Sequence, residues 1–191
     1  AGKALVVDMK AVVSAADQHG LFVVGIEADA PLIYIIAGEA SGDLLGARVM
    51  VRLKEKNADV RFVGIGGAKM TEQGLVSLFP MEEVSLMGLA EIIPHLPNLL
   101  KRIKQTIADV VRQRPDMLLS IDAPGFCFRV AKKLKGKNIK LVHYVAPSVW
   151  AWKPGRAQKV AGFLDHLLTL LPFEPSYFEK VGLPTTFVGH S

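Results

Sequence analysis

From Leu32 onward, apolar runs of strand length alternate with stretches of helical periodicity. The runs fall at residues 32–37, 60–65, 117–121, 141–145, 166–170 and 186–188, and the helical stretches at 43–56, 96–114, 126–135, 155–163 and 174–181. Continuous apolar runs, rather than strict alternation, mark strands buried on both faces. Strand and helix in alternation predict right-handed crossovers, hence an α/β fold: a doubly wound, parallel, Rossmann-like sheet. Ligands of such sheets bind beyond the carboxyl ends of the strands, so the loops at Gly38, Gly66, Asp122 and Ala146 are where chemistry is expected.

The first thirty residues read differently. A short strand at 5–7, a helix over 9–19 capped by Asp8 and ended by Gly20, and a strand at 21–26 precede a linker over 27–31. So abrupt a start suggests the remnant of a preceding domain (1–30), with the Rossmann-like domain over 31–191.

Composition narrows the class. Half of the 191 residues are hydrophobic and 21% are charged, enough for a sizeable core. The single cysteine, Cys127 between two phenylalanines, excludes a disulfide framework and suits a reducing compartment; a small buried apolar role fits it better than that of a nucleophile. No run of eighteen apolar residues exists, so no transmembrane helix is expected. Asp8, Lys10 and Asp17 interrupt the N-terminal apolar stretches, against a signal peptide. A cytoplasmic protein is expected, with peripheral membrane association open. The net charge of +5 is uneven: residues 123–164 hold nine Lys and Arg and no Asp or Glu. Such a face suits phosphate, an anionic membrane or nucleic acid, although Arg129, Lys132, Lys133, Lys135, Lys137 and Lys140 read equally well as a solvated helix face. Neither an aromatic-rich RNA motif nor a recognition helix accompanies the charge, so nucleic acid is not expected.

Five motifs carry candidate chemistry. Ala37-Gly-Glu-Ala-Ser-Gly-Asp43 joins the first strand to a helix. Gly38 and Gly42 permit close approach of a ligand, and Ser41 or Asp43 can cap the helix, whose free amides attract anionic or polyhydroxy groups. It is neither a P-loop nor the dinucleotide fingerprint, because Gly38, Gly42 and Gly46 are four apart. A plain turn would not need the carboxylate of Glu39. Gly64-Ile-Gly-Gly67 offers backbone at Gly66 and Gly67 to a sugar or phosphate, or serves only as a tight turn. Ile121-Asp-Ala-Pro-Gly-Phe126 puts Asp122 at the tip of a very apolar strand, where it can act as a general base or cap the next helix. The stretch from His143 to Arg156 brings Ser148, Trp150 and Trp152 beside Lys153 and Arg156, stacking surfaces next to cations. Residues 84–104 are densely apolar, interrupted by two prolines that break a helix, and followed by three cations. Such a segment rests in an anionic bilayer interface, lines an acyl-chain channel, or packs on the sheet. No Cys/His cluster has metal-ligand spacing, and no metal or cofactor is expected.

Together Gly38-Glu-Ala-Ser-Gly-Asp43, Phe62-Val-Gly64, Ser85-Leu-Met-Gly88, Ile121-Asp-Ala-Pro124, His143-Tyr-Val-Ala-Pro-Ser-Val-Trp-Ala-Trp152, Leu171-Pro-Phe-Glu174 and Phe187-Val-Gly-His190 resemble the lipid-A-disaccharide synthase family in order and spacing, over about residues 32–191. Departures from its pattern are small: Gly125 stands where the family often has Asp or Gly, and Cys127 where it commonly has Asn or a hydroxyl residue.

The resemblance implies the N-terminal, acceptor-side half of a two-domain glycosyltransferase of GT-B architecture. The implied reaction is metal-independent and inverting, from UDP-diacylglucosamine to diacylglucosamine 1-phosphate. Asp122 would be the base and Glu39 an acidic partner near the acceptor. Gly38, Ser41, Gly42, Asp43, Gly66, Gly67, Ser148, Trp150, Trp152 and Arg156 would contact substrate. Leu86, Met87, Leu89, Ile92, Ile93, Leu96, Lys101 and Arg102 would contact membrane or acyl chain, on the anionic inner-membrane surface. A homo-oligomer is compatible with this. The family's nucleotide domain lies beyond the position of His190, so residues 1–191 alone are expected to lack transferase activity. Lys3-Ala-Leu-Val-Val-Asp8 and Ala16-Asp-Gln-His-Gly-Leu-Phe-Val-Val-Gly25 resemble the C-terminal end of a UDP-diacylglucosamine pyrophosphatase, which implies a fusion. A UDP-sugar epimerase of the same architecture and a membrane-associated module that binds acylated sugars without turnover are the competing readings.

Overall fold

The structure, a computed structural model, describes residues 30–84, 89–148 and 155–189, and for 89–96 the backbone alone. The remnant expected at residues 1–30 lies almost wholly outside it.

The chain order is β1 (Leu32–Ala37), α1 (Ala40–Lys56), β2 (Arg61–Ile65), α2 (Ala68–Glu72), a 3-10 turn (Met81–Glu83), α3 (Leu89–Gln113), β3 (Met117–Ile121), α4 (Pro124–Leu134), β4 (Lys140–Tyr144), α5 (Gly155–Ala161), β5 (His166–Thr169), α6 (Pro175–Glu179) and β6 (Thr185–Phe187). All six strands pair in parallel, in the order β2-β1-β3-β4-β5-β6. The predicted fold is the observed one. The order reverses between β1 and β3, where the crossovers diverge and leave a crevice at the strand tips.

The core explains why the strands are central. Every residue of β3 is buried, and from Ile33 to Ala37 so is β1. Each fully buried Leu or Ile contributes about 1.5–3 kcal/mol, so these two strands anchor the sheet. Tyr34 brings a hydroxyl into that core and donates it to Asp109 Oδ2 of α3 at 2.9 Å. Asp109 in turn accepts from Arg112. Burial and then the neighbouring Asp109 carboxylate push the Tyr34 phenol up, so it stays protonated.

Three boundaries differ from expectation for identifiable reasons. The first helix starts at Ala40, not 43, because its N-cap is Glu39 in extended conformation. The helix after β3 begins at Pro124, a residue pre-organised for a first helical position. The helix expected to break at Pro94 and Pro97 instead runs unbroken from Leu89 to Gln113. A proline's fixed φ is compatible with a helix, and each ring here removes one backbone donor from a helix of 25 residues.

Candidate active site at the strand tips

The site forms where three central strands end together. Ala37 pairs with Ile121, and Ile121 with Tyr144. The next residues, Gly38, Asp122 and Val145, therefore stand side by side at the carboxyl edge, at the point where strand order reverses. Asp122 N–H donates to Tyr144 O at 3.0 Å, and Val145 N–H to Leu168 O at 3.1 Å.

Backbone conformation here is unusual. Asp122 and Ala123 are consecutive left-handed residues, at φ +52° and +43°, and Val145 stands at φ +77°. Left-handed backbone costs a non-glycine L-residue roughly 1–2 kcal/mol, and a β-branched one is rarer still. Gly38 lets the two turns approach: a Cβ there would sit 2.6 Å from Ala123 Cβ and 3.0 Å from Val84 Cγ1.

The carboxylates are presented rather than consumed. Glu39 is exposed and makes no side-chain cap bond at the start of α1. Asp122 is half-buried, and the cap position of α4 falls to Ala123, again without a side-chain bond. Among the described residues, neither carboxylate has a hydrogen bond or ion pair. Beneath Asp122, Cys127 is wholly buried; burial, and then the Asp122 carboxylate, push its thiol up, so it is no nucleophile.

Several expected contacts resolve differently. Asp43 was expected to meet substrate or cap its own helix. It is instead buried, taking Gly67 N–H at 2.8 Å and Met70 N–H at 3.1 Å on Oδ1, and Lys69 N–H at 2.9 Å on Oδ2. It thus caps α2 from across the structure, and both oxygens are occupied. Gly66 and Gly67 were expected to offer amides to a ligand, but Gly66 N–H goes to Ser77 Oγ at 3.2 Å and Gly67 N–H to Asp43. Their missing side chains make room for Met70, Leu75 and Asp43. Gly42 is buried, its α-carbon turned toward Ile121 O and Ala37. Arg102 is no free cation for a membrane. It grips Glu83 with Nη2 to Oε1 at 2.5 Å and Nε to Oε2 at 2.7 Å, and stacks on Phe79 at 4.6 Å. This pairing holds the Glu83 carboxyl below its ordinary range.

Ser41, Lys101 and Ser148 are exposed, and Arg156 is half-buried on α5. Trp150, Trp152, Leu86 and Met87 lie outside the described residues. Leu89, Ile92, Ile93 and Leu96 fall on α3, with their side chains outside the description. No group of three or more His, Cys, Asp and Glu among the described residues could hold a metal, and no described helix is long and apolar enough to cross a membrane.

One feature escaped the sequence. Ser120 Oγ and His143 Nδ1, directly opposite in the β3–β4 ladder, lie 2.8 Å apart in the core. Among the described residues, His143 Nε2 is buried without a hydrogen-bond partner. A serine in an apolar strand and a histidine in another are the only signals, and neither announces the pair.

Comparison with known proteins adds independent evidence. The family model described as lipid-A-disaccharide synthetase matches residues 33–191. The lipid-A-disaccharide synthase of Rhodospirillum centenum is 62% identical over 162 residues, covering 83% of this chain and 40% of that protein. That of Paramagnetospirillum magneticum is 56% identical over 162 residues, covering 83% and 42%. The chain thus spans about two fifths of the length of these curated relatives. Among solved structures, the S. aureus MnaA–UDP co-structure matches with a TM-score of 0.53 at 16% identity, over 80% of this chain and 41% of that one, a likeness of fold.

Proposed function

The chain belongs to the lipid-A-disaccharide synthetase family, and from that premise we propose that residues 31–191 form the acceptor-side domain of an inverting GT-B glycosyltransferase. The donor is UDP-diacylglucosamine and the acceptor diacylglucosamine 1-phosphate. The observation that supports this best is the pair of carboxylates without partners among the described residues, Glu39 and Asp122, flanking the reversal point of the sheet.

In this reading the Asp122 carboxylate accepts the proton of the acceptor hydroxyl. The oxygen forms a bond to the donor's anomeric carbon from the face opposite the phosphate. The bond from that carbon to the diphosphate oxygen breaks, its electron pair leaves with UDP, and an α-linked donor gives a β-linked disaccharide. A half-buried carboxylate without a partner among the described residues suits that task, because none of them competes with the incoming hydroxyl. Glu39 accepts hydrogen bonds from the acceptor sugar. Cationic side chains and helix amides, rather than a metal, meet the charge developing on the diphosphate. The amino-terminal half of α3, with Lys101, rests against an anionic inner membrane from which the acylated substrates arrive, and the enzyme is peripheral on its cytoplasmic side. The fusion with a pyrophosphatase at residues 1–30 is tested by reading the frame upstream of Ala1.

The experiment is UDP release by a protein of the relatives' full length, given both substrates. Release that requires the acceptor supports the transferase. Binding of either acylated sugar without release would favour a capture module instead.

A further inference from the structure

We propose that His143 is a positioning residue for Asp122, its buried imidazole clamping both flanks of the turn that carries the carboxylate. The proposal rests on the reading of Asp122 as the base.

The turn 122–123 leaves β3 after Ser120 and Ile121 and enters α4, which carries Phe128. The same imidazole touches both sides. Its Nδ1 lies 2.8 Å from Ser120 Oγ, two residues before Asp122. Its ring meets Phe128 edge to face, at 4.6 Å and 63°, six residues after. Phe128 is itself wedged against Phe163 at 5.4 Å, so the far anchor is fixed. His143 and Ser120 are 0% and 1% exposed.

Such a clamp answers a need that the backbone sets. Two successive left-handed residues without a glycine relax unless their surroundings over-determine them. Packing alone does not require a histidine here. An apolar ring would fill the same space without burying Nε2, which finds no hydrogen-bond partner among the described side chains and backbone, an arrangement that core residues normally avoid. Burial also pushes the His143 pKa down to about 3, so the ring stays neutral and takes no share of the proton that Asp122 carries.

The test uses the full-length protein with both substrates, and the variants Ser120→Ala, His143→Phe and the double variant. Each should lower kcat between about ten- and a hundred-fold with little change in acceptor KM, the loss expected when a reacting group is displaced by a fraction of an ångström to an ångström. The double variant should be no worse than the poorer single one. Amide exchange at Asp122 and Val145 should rise at least about ten-fold over that at Ile35 and Ile36, as local opening requires. A merely structural role would leave kcat of the folded variants unchanged, or raise exchange evenly through the sheet; either overturns the proposal. Should His143→Phe fail to fold, Ser120→Ala, which removes one hydroxyl, decides by the same criteria. If Asp122→Asn itself leaves turnover intact, the base reading fails, while the exchange pattern still judges the clamp.

Discussion

Gly38 and Ala123 offer a quantitative test of how tightly the site turns are packed. A methyl added at Gly38 would lie 2.6 Å from Ala123 Cβ and 3.0 Å from Val84 Cγ1, so the β1 and β3 turns must separate by about 1 Å to restore van der Waals contact. Overpacking of this kind costs about 1–3 kcal/mol, and at this chain length each kcal/mol lowers Tm by roughly 2–4 °C. Ala123→Gly acts in the opposite sense. It removes the other methyl and relieves a left-handed alanine at φ +43°, worth about 1–2 kcal/mol, against roughly 0.4–1 kcal/mol of added freedom in the unfolded chain. Alone it should be neutral to stabilising. Combined with Gly38→Ala it should recover most of the loss, with a coupling of at least about 0.5 kcal/mol. Urea denaturation of the 191-residue chain measures all four corners of the cycle. Additive effects, or a Gly38→Ala variant as stable as the parent, would refute the close approach of the two turns.

Other consequences are open to measurement. Asp43→Ala removes the acceptor of three amides at the start of α2 and should cost about 1–3 kcal/mol in urea denaturation; a loss confined to substrate binding would restore Asp43 to the ligand site. His143 ties stability to pH. Its folded pKa is lowered while the unfolded chain titrates near 6.5, so the unfolded state binds the extra proton and stability falls as pH drops from about 6.5 towards 3, by about 1.4 kcal/mol per pH unit. His166, lowered by burial, adds in the same direction. His143→Phe should flatten the acid limb by about one proton, seen in denaturation between pH 4 and 7; an unchanged slope would mean that the imidazole is already charged. Glu83→Gln frees Arg102 from its carboxylate, and the side chains are partly buried, at 27% and 19% exposure. Loss of the pair should lower Tm, and by less at high salt; equal Tm for parent and variant at both salts would contradict the pairing.

What the sequence disclosed and what it hid follow from the kind of interaction involved. Strands β1 and β3 are legible because burial on both faces leaves uninterrupted apolar runs; the helix after β3 was legible too, but its start at Pro124 rather than at 126 was not. The tip positions of Glu39 and Asp122 were legible too, since a turn does not need the carboxylate of Glu39 and Asp122 ends a very apolar strand. Asp43 was misread because its partners, Gly67, Lys69 and Met70, lie more than twenty residues away, and local capping rules see only the helix it begins. The prolines in α3 misled for the converse reason: a local rule was overridden by the length of a helix held elsewhere. The left-handed pair at Asp122 and Ala123 leaves no trace, because alanine has no preference for that conformation and tertiary packing imposes it.

The role of Asp122 is tested most directly by Asp122→Asn in the full-length protein, an isosteric change that keeps the turn but cannot take a proton. With UDP-diacylglucosamine and diacylglucosamine 1-phosphate supplied, the rate of UDP release should fall by at least about a hundred-fold, the usual reach of general base catalysis, with an unfolding free energy within about 1 kcal/mol of the parent. Undiminished release from a folded variant would contradict Asp122 as the base.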